Sequence, residues 1–281
     1  MARGMSVHVG LNQVDPTHYN GWNGALTACE FDANDMEALA RSRGFETTKL
    51  LTREATADAV IGAIENAANE LERGDIFFIS YSGHGGQVPD TNSDEEEDRS
   101  DETWLAFDRQ IVDDELYALW AKFQPWARVL VLSDSCHSGS VNKDITDPVP
   151  DPVATAEIAA QQSPRFRALP RDTMIETYMQ NQGLYDGIQE QFPSSGRSES
   201  ELGTRVLLIS GCQDDQLSRD GFKNGAFTEE LLRVWNDGAW HGGYAAFHQA
   251  ILDGMPDDQQ PNYNPVGASD DAFEQQDPFT V

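Results

Sequence analysis

One histidine and one cysteine stand out because each closely follows a short apolar run. The run Ile76–Ser80 leads into a glycine-flanked His84, and the run Val129–Leu132 leads into Cys136 in a serine-rich segment. A free thiol has a pKa of about 8.5 and is mostly protonated at neutral pH. A nearby imidazole can accept that proton and later protonate a leaving amine. The pair therefore predicts nucleophilic catalysis by the cysteine, with the histidine as base.

Two neighbours of this pair bear on the chemistry. The backbone N–H of Gly85 could form an oxyanion hole with that of Cys136, and each such donor is typically worth about 10²–10³ in rate. His137 is a rival base, although adjacent residues in a turn usually point apart. A lone cysteine or histidine at a strand end is more often structural. It is harder to explain by packing why a histidine and a cysteine both occur in glycine- and serine-rich turns that follow buried strands.

The elements that must position these residues alternate along the chain. Apolar runs rich in β-branched and aromatic residues predict buried parallel strands, and the stretches between them predict helices. The strands are expected at Val7–Leu11, Ile76–Ser80, Val129–Leu132 and Val206–Ile209, with Glu46–Leu51 as a fifth. The helices are expected at Phe31–Arg41, Ala57–Leu71 with Thr56 as its cap, Asp114–Phe123, Ala226–Trp235 and Tyr244–Leu252. The alternation predicts an α/β sandwich, in which sites form at the carboxyl ends of the strands.

Two segments interrupt this alternation. Asp90–Glu102 is almost wholly acidic and polar, which favours a solvated charged loop. It is not an EF-hand, because Glu95 stands where that loop requires glycine. Asp144–Thr204 carries six prolines and is interpreted as a linker between a larger and a smaller subdomain, with a helix expected over Asp172–Gln180.

Composition limits the classes of partner. With 19 basic and 48 acidic residues the formal net charge is −29, which disfavours nucleic acid and anionic membranes and favours cations, basic peptides or a salty solvent. Three scattered cysteines (Cys29, Cys136 and Cys212) are too few for a disulfide framework or a paired-CxxC zinc site. No apolar run approaches the roughly 20 residues of a membrane span, and the start is too short and polar for a signal peptide. A cytoplasmic location is expected.

Two blocks around the proposed pair carry a family resemblance. Ser82–Gln87 and Asp134–Gly139 resemble the signature blocks of metacaspases, the caspase-like peptidases of bacteria, plants, fungi and protists. Further family segments are resembled by Leu26–Ala33, Ile111–Glu115, Ser210–Gln216 and Asn224–Thr228. The resemblance implies a caspase-like α/β/α sandwich with a central, mostly parallel sheet. It also implies a large-subunit-like region at 1–143, a linker at 144–203 and a small-subunit-like region at 204–281.

The resemblance further implies a substrate pocket. Metacaspases cut after arginine or lysine, and their pocket positions fall here on Cys29, Asp32, Ser82 and Asp134. Two carboxylates would suit a guanidinium, which they can bind through paired hydrogen bonds. The alternative for Asp32 is a surface carboxylate in a helix's first turn, where the helix dipole favours it. Protein or peptide substrates with Arg or Lys at the cleavage position are therefore expected. The resemblance also implies a monomer, as is usual in the family.

Calcium activation is the next implication of the resemblance. The aspartates that match the family's calcium ligands are Asp101, Asp113 and Asp114. The fourth ligand position falls on Lys143, which cannot bind calcium, so the adjacent Asp144 is the fourth candidate. Clustered carboxylates repel one another until a hard cation arrives, so calcium could draw the loops around the site into a competent shape.

Relatives in this family often cut themselves after basic residues near the junction of the two subunits. The candidates here are Lys143, Arg165, Arg167, Arg171 and Arg197, and the alternative for each is solubilising surface charge. Two other functions stay open. One is another caspase-clan peptidase, such as a legumain- or gingipain-like enzyme with a different pocket. The other is a calcium-binding scaffold with a silent active site.

Overall fold

A six-stranded sheet forms the centre of the computed structural model, which describes residues 2–91, 100–135, 165–192, 202–213, 216, 218–267 and 271–281. Its strands are β1 (Gly4–Gly10), β2 (Glu46–Leu51), β3 (Ile76–Ser82), β7 (Arg128–Asp134), β9 (Arg205–Ser210) and β11 (Asn262–Gly267). Their order is β11-β9-β7-β3-β1-β2. Neighbouring strands run parallel except β11, which is antiparallel to β9.

Helices cover both faces of this sheet. They are α1 (Cys29–Ser42), α2 (Ala57–Glu70), α3 (Asp113–Trp120), α4 (Arg171–Gln189), α5 (Ala226–Trp235), α6 (Tyr244–Leu252) and α7 (Asp271–Gln275). Alternate residues of β3 point to opposite faces. Phe77 and Ile79 pack in a core with α2 and α3, whereas Ile76 and Phe78 pack in a second core with α1, α5 and α6. The predicted α/β/α sandwich is confirmed.

Several predicted elements match the observed ones closely. Glu46–Leu51, Ala226–Trp235 and Tyr244–Leu252 have the predicted bounds. The Thr56 hydroxyl accepts a hydrogen bond from the Ala59 N–H, as expected of a helix cap. The helix predicted over Asp172–Gln180 is part of the longer α4. Within the described residues, none of the helices combines the length and the apolar character needed to cross a bilayer.

A second, antiparallel sheet was not predicted. It consists of β4 (Gly85–Pro89), β5 (Ser100–Leu105) and β6 (Gln110–Val112). The predicted charged loop through Glu102 is therefore wrong at its end, because its last residues open β5. Pairing with β5 also turns the glycine-rich start of β4 into strand, although glycine is a poor strand former. The short antiparallel pair β8 (Arg165–Phe166) and β10 (Arg219–Asp220) was likewise not predicted.

Acid is expected to destabilise the fold through His8, which lies on β1 with its ring nitrogens 2.8 and 2.9 Å from the hydroxyls of Ser80 and Ser6. Burial lowers the pKa of His8 to about 3. A lowered folded-state pKa means that the unfolded chain binds more protons, so this stability is present above a pH of about 6.5 and is lost as pH falls. Between a pH of about 7 and about 4 the loss is about 3 kcal/mol. Urea unfolding of the wild type and His8→Gln at both pH values checks this, since a constant difference would contradict it.

Candidate active site

The carboxyl ends of two central strands meet at one edge of the sheet. β3 and β7 are parallel neighbours, and Ser82 at the end of β3 pairs with Asp134 at the end of β7. His84 follows β3 by two residues, and the segment that holds Cys136 begins directly after β7. Cys136, the predicted nucleophile, and Asp144 lie outside the described residues, as do the rival base His137 and the self-cleavage candidates Lys143 and Arg197. The other predicted catalytic, pocket and calcium-binding residues are described.

The imidazole of His84 is buried and held in one tautomer. Its Nε2 lies 2.9 Å from the carbonyl oxygen of Gly24, and a carbonyl can only accept, so Nε2 carries the proton. Its Nδ1 has no hydrogen-bond partner among the described residues. Burial lowers the pKa of His84 to about 4, while the Gly24 carbonyl acts in the opposite direction. At neutral pH the ring is therefore uncharged, and its Nδ1 can accept a proton.

Two residues of the loop between β1 and α1 fix the orientation of this ring. The Trp22 indole packs against the imidazole with ring centroids 4.7 Å apart. Gly24 has φ +56°, and a Cβ there would lie 2.8 Å from the Trp22 ring and 3.1 Å from Cδ2 of His84. A side chain at this position would be strained and would displace the ring, so glycine is required for the Nε2 hydrogen bond.

Three aspartates converge beside His84. Asp32 lies on α1 and Asp134 at the end of β7, as the resemblance implied, and both are buried. The third is Asp220 on β10, which was not predicted. Ser82 donates a hydrogen bond of 2.7 Å to Asp32. The predicted pocket residues are thus brought together, with one carboxylate more than expected.

A buried arginine occupies this cluster. Arg167 is 0% exposed, and its Nη2 lies 2.7 Å from Oδ2 of Asp32 and 3.2 Å from Oδ1 of Asp220. Its Nη1 lies 2.9 Å from Oδ2 of Asp134 and donates to the Ser82 hydroxyl, also at 2.9 Å. Solubilising surface charge, one alternative for Arg167, is therefore wrong. The guanidinium is fully buried and paired with carboxylates.

Backbone hydrogen bonds on either side of Arg167 hold its segment across the site. The N–H of Gly85, the predicted oxyanion donor, donates to the carbonyl oxygen of Arg167 at 2.9 Å. The N–H of Arg167 donates to the Ser218 carbonyl at 3.0 Å, and the N–H of Leu169 donates to the Gly85 carbonyl at 2.8 Å. A backbone group of Ala168 also lies close enough to His84 to raise its pKa, against the larger effect of burial. The Arg167–Ala168 peptide bond therefore lies between the oxyanion donor and the histidine.

Residues of the segment 218–228 donate hydrogen bonds to the pocket carboxylates. Asp134 accepts hydrogen bonds from the hydroxyls of Ser218 at 2.6 Å and Thr228 at 2.8 Å. Asp32 accepts from the side chain of Asn224 and the N–H of Gly225, both at 3.0 Å. Burial raises the pKa of Asp32 to about 6, and the charge of the bound guanidinium opposes this rise. A cation in the pocket therefore favours the charged form of the carboxylate.

The two described cysteines are poor candidates for a nucleophile. Cys29 is fully buried beside the pocket, and burial raises the pKa of its thiol to about 12. Cys212 is also fully buried, with its thiol donating to the carbonyl oxygen of Ser135 at 3.4 Å. A thiol that is neither accessible nor ionised does not attack a substrate. Of the three cysteines, Cys136 therefore remains the candidate nucleophile.

A second acidic cluster lies in the β4–β6 region. One carboxylate oxygen each from Asp101, Asp113 and Asp114 lies within 4.8 Å of the others, and Asp101 and Asp114 are buried. Calcium binds oxygen ligands at about 2.3–2.6 Å, so one ion can bridge oxygens at this spacing. The described residues of the predicted calcium set therefore fit a calcium ion in donor type and spacing.

The sequence missed Asp220 and the role of Arg167. Asp220 reaches the pocket only because β10 pairs with β8 in the segment before Arg167. Two residues of that segment, Arg165 and Arg167, were candidates for self-cleavage, but their sequence context is the same mixture of Pro, Ser and Arg. Only the folded structure distinguishes them, because Arg167 pairs with three carboxylates there.

Comparison with known proteins identifies the family. The caspase domain family matches residues 14–273. The chain belongs to the caspase domain family. This caspase domain is similar to Metacaspase-1 of Mycosarcoma maydis, at 29% identity over 247 residues, covering 78% of this chain and 60% of the relative. It is 28% identical over 249 residues to Metacaspase-1 of Scheffersomyces stipitis, covering 78% of this chain and 61% of the relative. The chain thus spans about three fifths of these relatives' length.

Solved structures agree with this assignment. Protein GSU0716 of Geobacter sulfurreducens is 50% identical to this caspase domain, with a TM-score of 0.87 and 99% of each chain covered. Caspase-1 of Spodoptera frugiperda shares the fold at 11% identity, with a TM-score of 0.53 covering 99% of this chain and 92% of that one. The metacaspase resemblance based on the His84 and Cys136 blocks is confirmed.

Proposed function

We propose that this caspase-domain chain is a cysteine endopeptidase that cuts after arginine or lysine, with Cys136 as nucleophile and His84 as base. One observation carries the proposal. The Arg167 side chain fills a pocket of three aspartates while its carbonyl oxygen accepts a hydrogen bond from Gly85. A substrate arginine bound in the same way would present its carbonyl carbon next to His84.

The proposed reaction is consistent with these positions. The Cys136 thiol gives its proton to Nδ1 of His84, and the thiolate attacks the carbonyl carbon. The carbonyl oxygen, which becomes negatively charged, accepts a hydrogen bond from the Gly85 N–H. When the C–N bond breaks, His84 gives the proton to the departing amine, leaving a thioester. Water then attacks the thioester with His84 as base, which releases the new carboxylate and restores the thiol.

The charge of the pocket sets the expected preference. Asp32, Asp134 and Asp220 surround a single cation, so the cluster with Arg167 bound still has a formal charge of −2. An aspartate side chain in this place would add a buried negative charge without a partner, which is costly. Lysine brings one compact ammonium and cannot make the paired contacts of a guanidinium. Arginine is therefore preferred over lysine, and both over aspartate.

Peptide cleavage tests this preference directly. Fluorogenic peptides that differ only in the residue before the cut bond are expected to be cleaved with Arg first, Lys about 10-fold slower and Asp at least about 10³-fold slower, since each 1.4 kcal/mol is tenfold. Cys136→Ala protein is the matched control and should cleave none of them. Faster cleavage after Asp than after Arg would contradict the proposed pocket.

Self-cleavage belongs to the same proposal. The Arg167–Ala168 bond of the chain already lies in the register of a substrate, so it is the bond we expect to be cut first. The support is local, because the described pocket holds the side chain of Arg167. Mass spectrometry of protein incubated with calcium should find a new N-terminus at Ala168, and it should be absent from Cys136→Ala.

Calcium activation is supported by the acidic cluster on β5 and α3. Removing calcium with a chelator is expected to lower peptidase activity at least about 10-fold, because three clustered carboxylates then repel one another. Asp113→Ala should raise the calcium concentration needed for half-maximal activity by a similar factor. Asp58→Asn, which removes an exposed carboxylate from the first turn of α2, is the matched control. Full activity in excess chelator would contradict this part of the proposal.

A further inference from the structure

A buried leucine lies two residues beyond the arginine in the cleft. Leu169 is 5% exposed and packs with Val14, Tyr19 and Leu105 in a small apolar cluster apart from the two main cores. The half-buried Trp22, which also packs on His84, borders the same cluster. An apolar pocket thus lies next to His84, and it holds a residue on the C-terminal side of the proposed cut bond.

The backbone fixes which substrate residue reaches this pocket. Gly85 donates to the carbonyl of Arg167 and accepts from the N–H of Leu169, so the two hydrogen bonds on either side of Ala168 set a single register. In this register the Arg167 side chain lies in the aspartate cluster while the Leu169 side chain lies in the apolar cluster. The residue two positions after the cut bond therefore enters the apolar pocket whenever arginine occupies the aspartate cluster.

Most of the walls of this pocket lie outside the linker, and Met174 of α4 also packs against the cluster. Val14 and Tyr19 precede α1, and Leu105 ends β5. The Tyr19 hydroxyl donates to the Ala106 carbonyl at 2.9 Å, which holds the ring in place. At the floor, a Cβ on Gly86 would lie 3.3 Å from a methyl group of Leu169, so a larger residue there would narrow the space. The buried walls of the pocket thus come from residues outside the linker to which Leu169 belongs.

We propose that this pocket is a second specificity site, which selects an aliphatic residue two positions after the cut bond. The proposal rests on the proposed function, because it takes Arg167–Ala168 as the position of the cut bond. An aliphatic side chain such as Leu or Met loses its contact with water in the pocket, whereas an aspartate or lysine would bury a charge among apolar side chains. The pocket adds apolar selectivity to the electrostatic selectivity of the aspartate cluster.

Internally quenched peptides test the proposal without altering the protein. One series keeps Arg-Ala around the cut bond and places Leu, Met, Ala, Asp or Lys at the next position. Leu and Met are expected to give kcat/KM about 10-fold above Ala and about 10²-fold above Asp and Lys. Equal values across the series would overturn the specificity site while leaving the proposed function intact.

Self-cleavage of the full chain provides a second, independent measurement. Leu169→Met is expected to form the Ala168 N-terminus at nearly the wild-type rate, and Leu169→Asp at least about 10-fold more slowly. Circular dichroism of both variants in a Cys136→Ala background separates slow cutting from misfolding. Cutting of a folded Leu169→Asp chain at the wild-type rate overturns the site. Failure to cut any arginyl peptide or the chain itself overturns the proposed function, and the specificity site with it.

Discussion

Replacing His84 with alanine is expected to lower kcat/KM for an arginyl peptide by about 10²–10⁴-fold, the range of general acid–base catalysis. The reason lies in its tautomer. Because the proton stays on Nε2, bonded to the Gly24 carbonyl, Nδ1 accepts the thiol proton and later returns it to the amine. Steady-state kinetics with saturating calcium measure the loss.

The matched control for this experiment is His137→Ala, which removes the rival base next to Cys136. Its kcat/KM should stay within about threefold of the wild type, because the proposed mechanism gives that imidazole no role. Larger loss in His137→Ala than in His84→Ala would reverse the assignment of the base. Labelling of Cys136 by an arginyl electrophile in both variants separates loss of the base from loss of the nucleophile.

Trp22 and Gly24 illustrate a part of the site that the sequence did not reveal. Their loop lies far from His84 in the chain, and neither residue belongs to a block that resembles a signature. The Nε2 hydrogen bond and the ring contact arise only when the loop folds over the sheet edge. The tautomer of the base, on which the mechanism depends, is therefore a property of tertiary structure.

The pairing of β3 with β7, the strands that precede His84 and Cys136, could be anticipated from the sequence. Ile76–Ser80 and Val129–Leu132 are runs that only a two-sided buried strand explains well, and neighbouring parallel strands bring the residues after their carboxyl ends to one edge of the sheet. The neighbouring positions of β3 and β7 bear out that expectation. The strong apolar periodicity of Ala226–Trp235 likewise gave the bounds of that helix correctly.

Arg167 and Asp220 could not be anticipated for the opposite reason. Each lies in a polar segment without periodicity, and each owes its burial to a partner distant in sequence. Arginine is almost never fully buried unless it is paired, so a propensity scale places Arg167 at the surface. What overrides that preference is the convergence of carboxylates from α1, β7 and β10 on one point.

Because Arg167 fills the aspartate cluster, it is expected to limit the binding of substrate to the proposed peptidase site. A substrate arginine must displace the chain's own arginine, which competes at the high effective concentration of an attached segment. Only a fraction of the molecules then has a cleft open to substrate, and the apparent affinity for substrate is reduced in proportion to that fraction. The uncut chain is therefore expected to bind basic peptides weakly, and this cost is removed when the segment no longer fits the pocket.

Substituting Arg167 by alanine is accordingly expected to have two effects. The Ala168 N-terminus should no longer form, because alanine leaves the aspartate cluster unfilled. In a Cys136→Ala background, an arginyl peptide should bind at least about 10-fold more tightly to the Arg167→Ala chain than to the chain with Arg167, measured by calorimetry. Arg167→Lys should fall between the two, since one ammonium replaces a forked guanidinium among three carboxylates.

Arg171→Ala is the matched control for this series, because it removes an exposed arginine at the start of α4 from the same segment. It should leave both self-cleavage and peptide affinity unchanged. Thermal unfolding of each variant with and without the arginyl peptide checks the fold, and the peptide should stabilise Arg167→Ala most because it restores a cation to the buried carboxylates. Equal peptide affinity with and without Arg167 would mean that the segment does not compete for the pocket. Continued formation of the Ala168 N-terminus in Arg167→Ala would mean that the aspartate cluster does not select the cut bond.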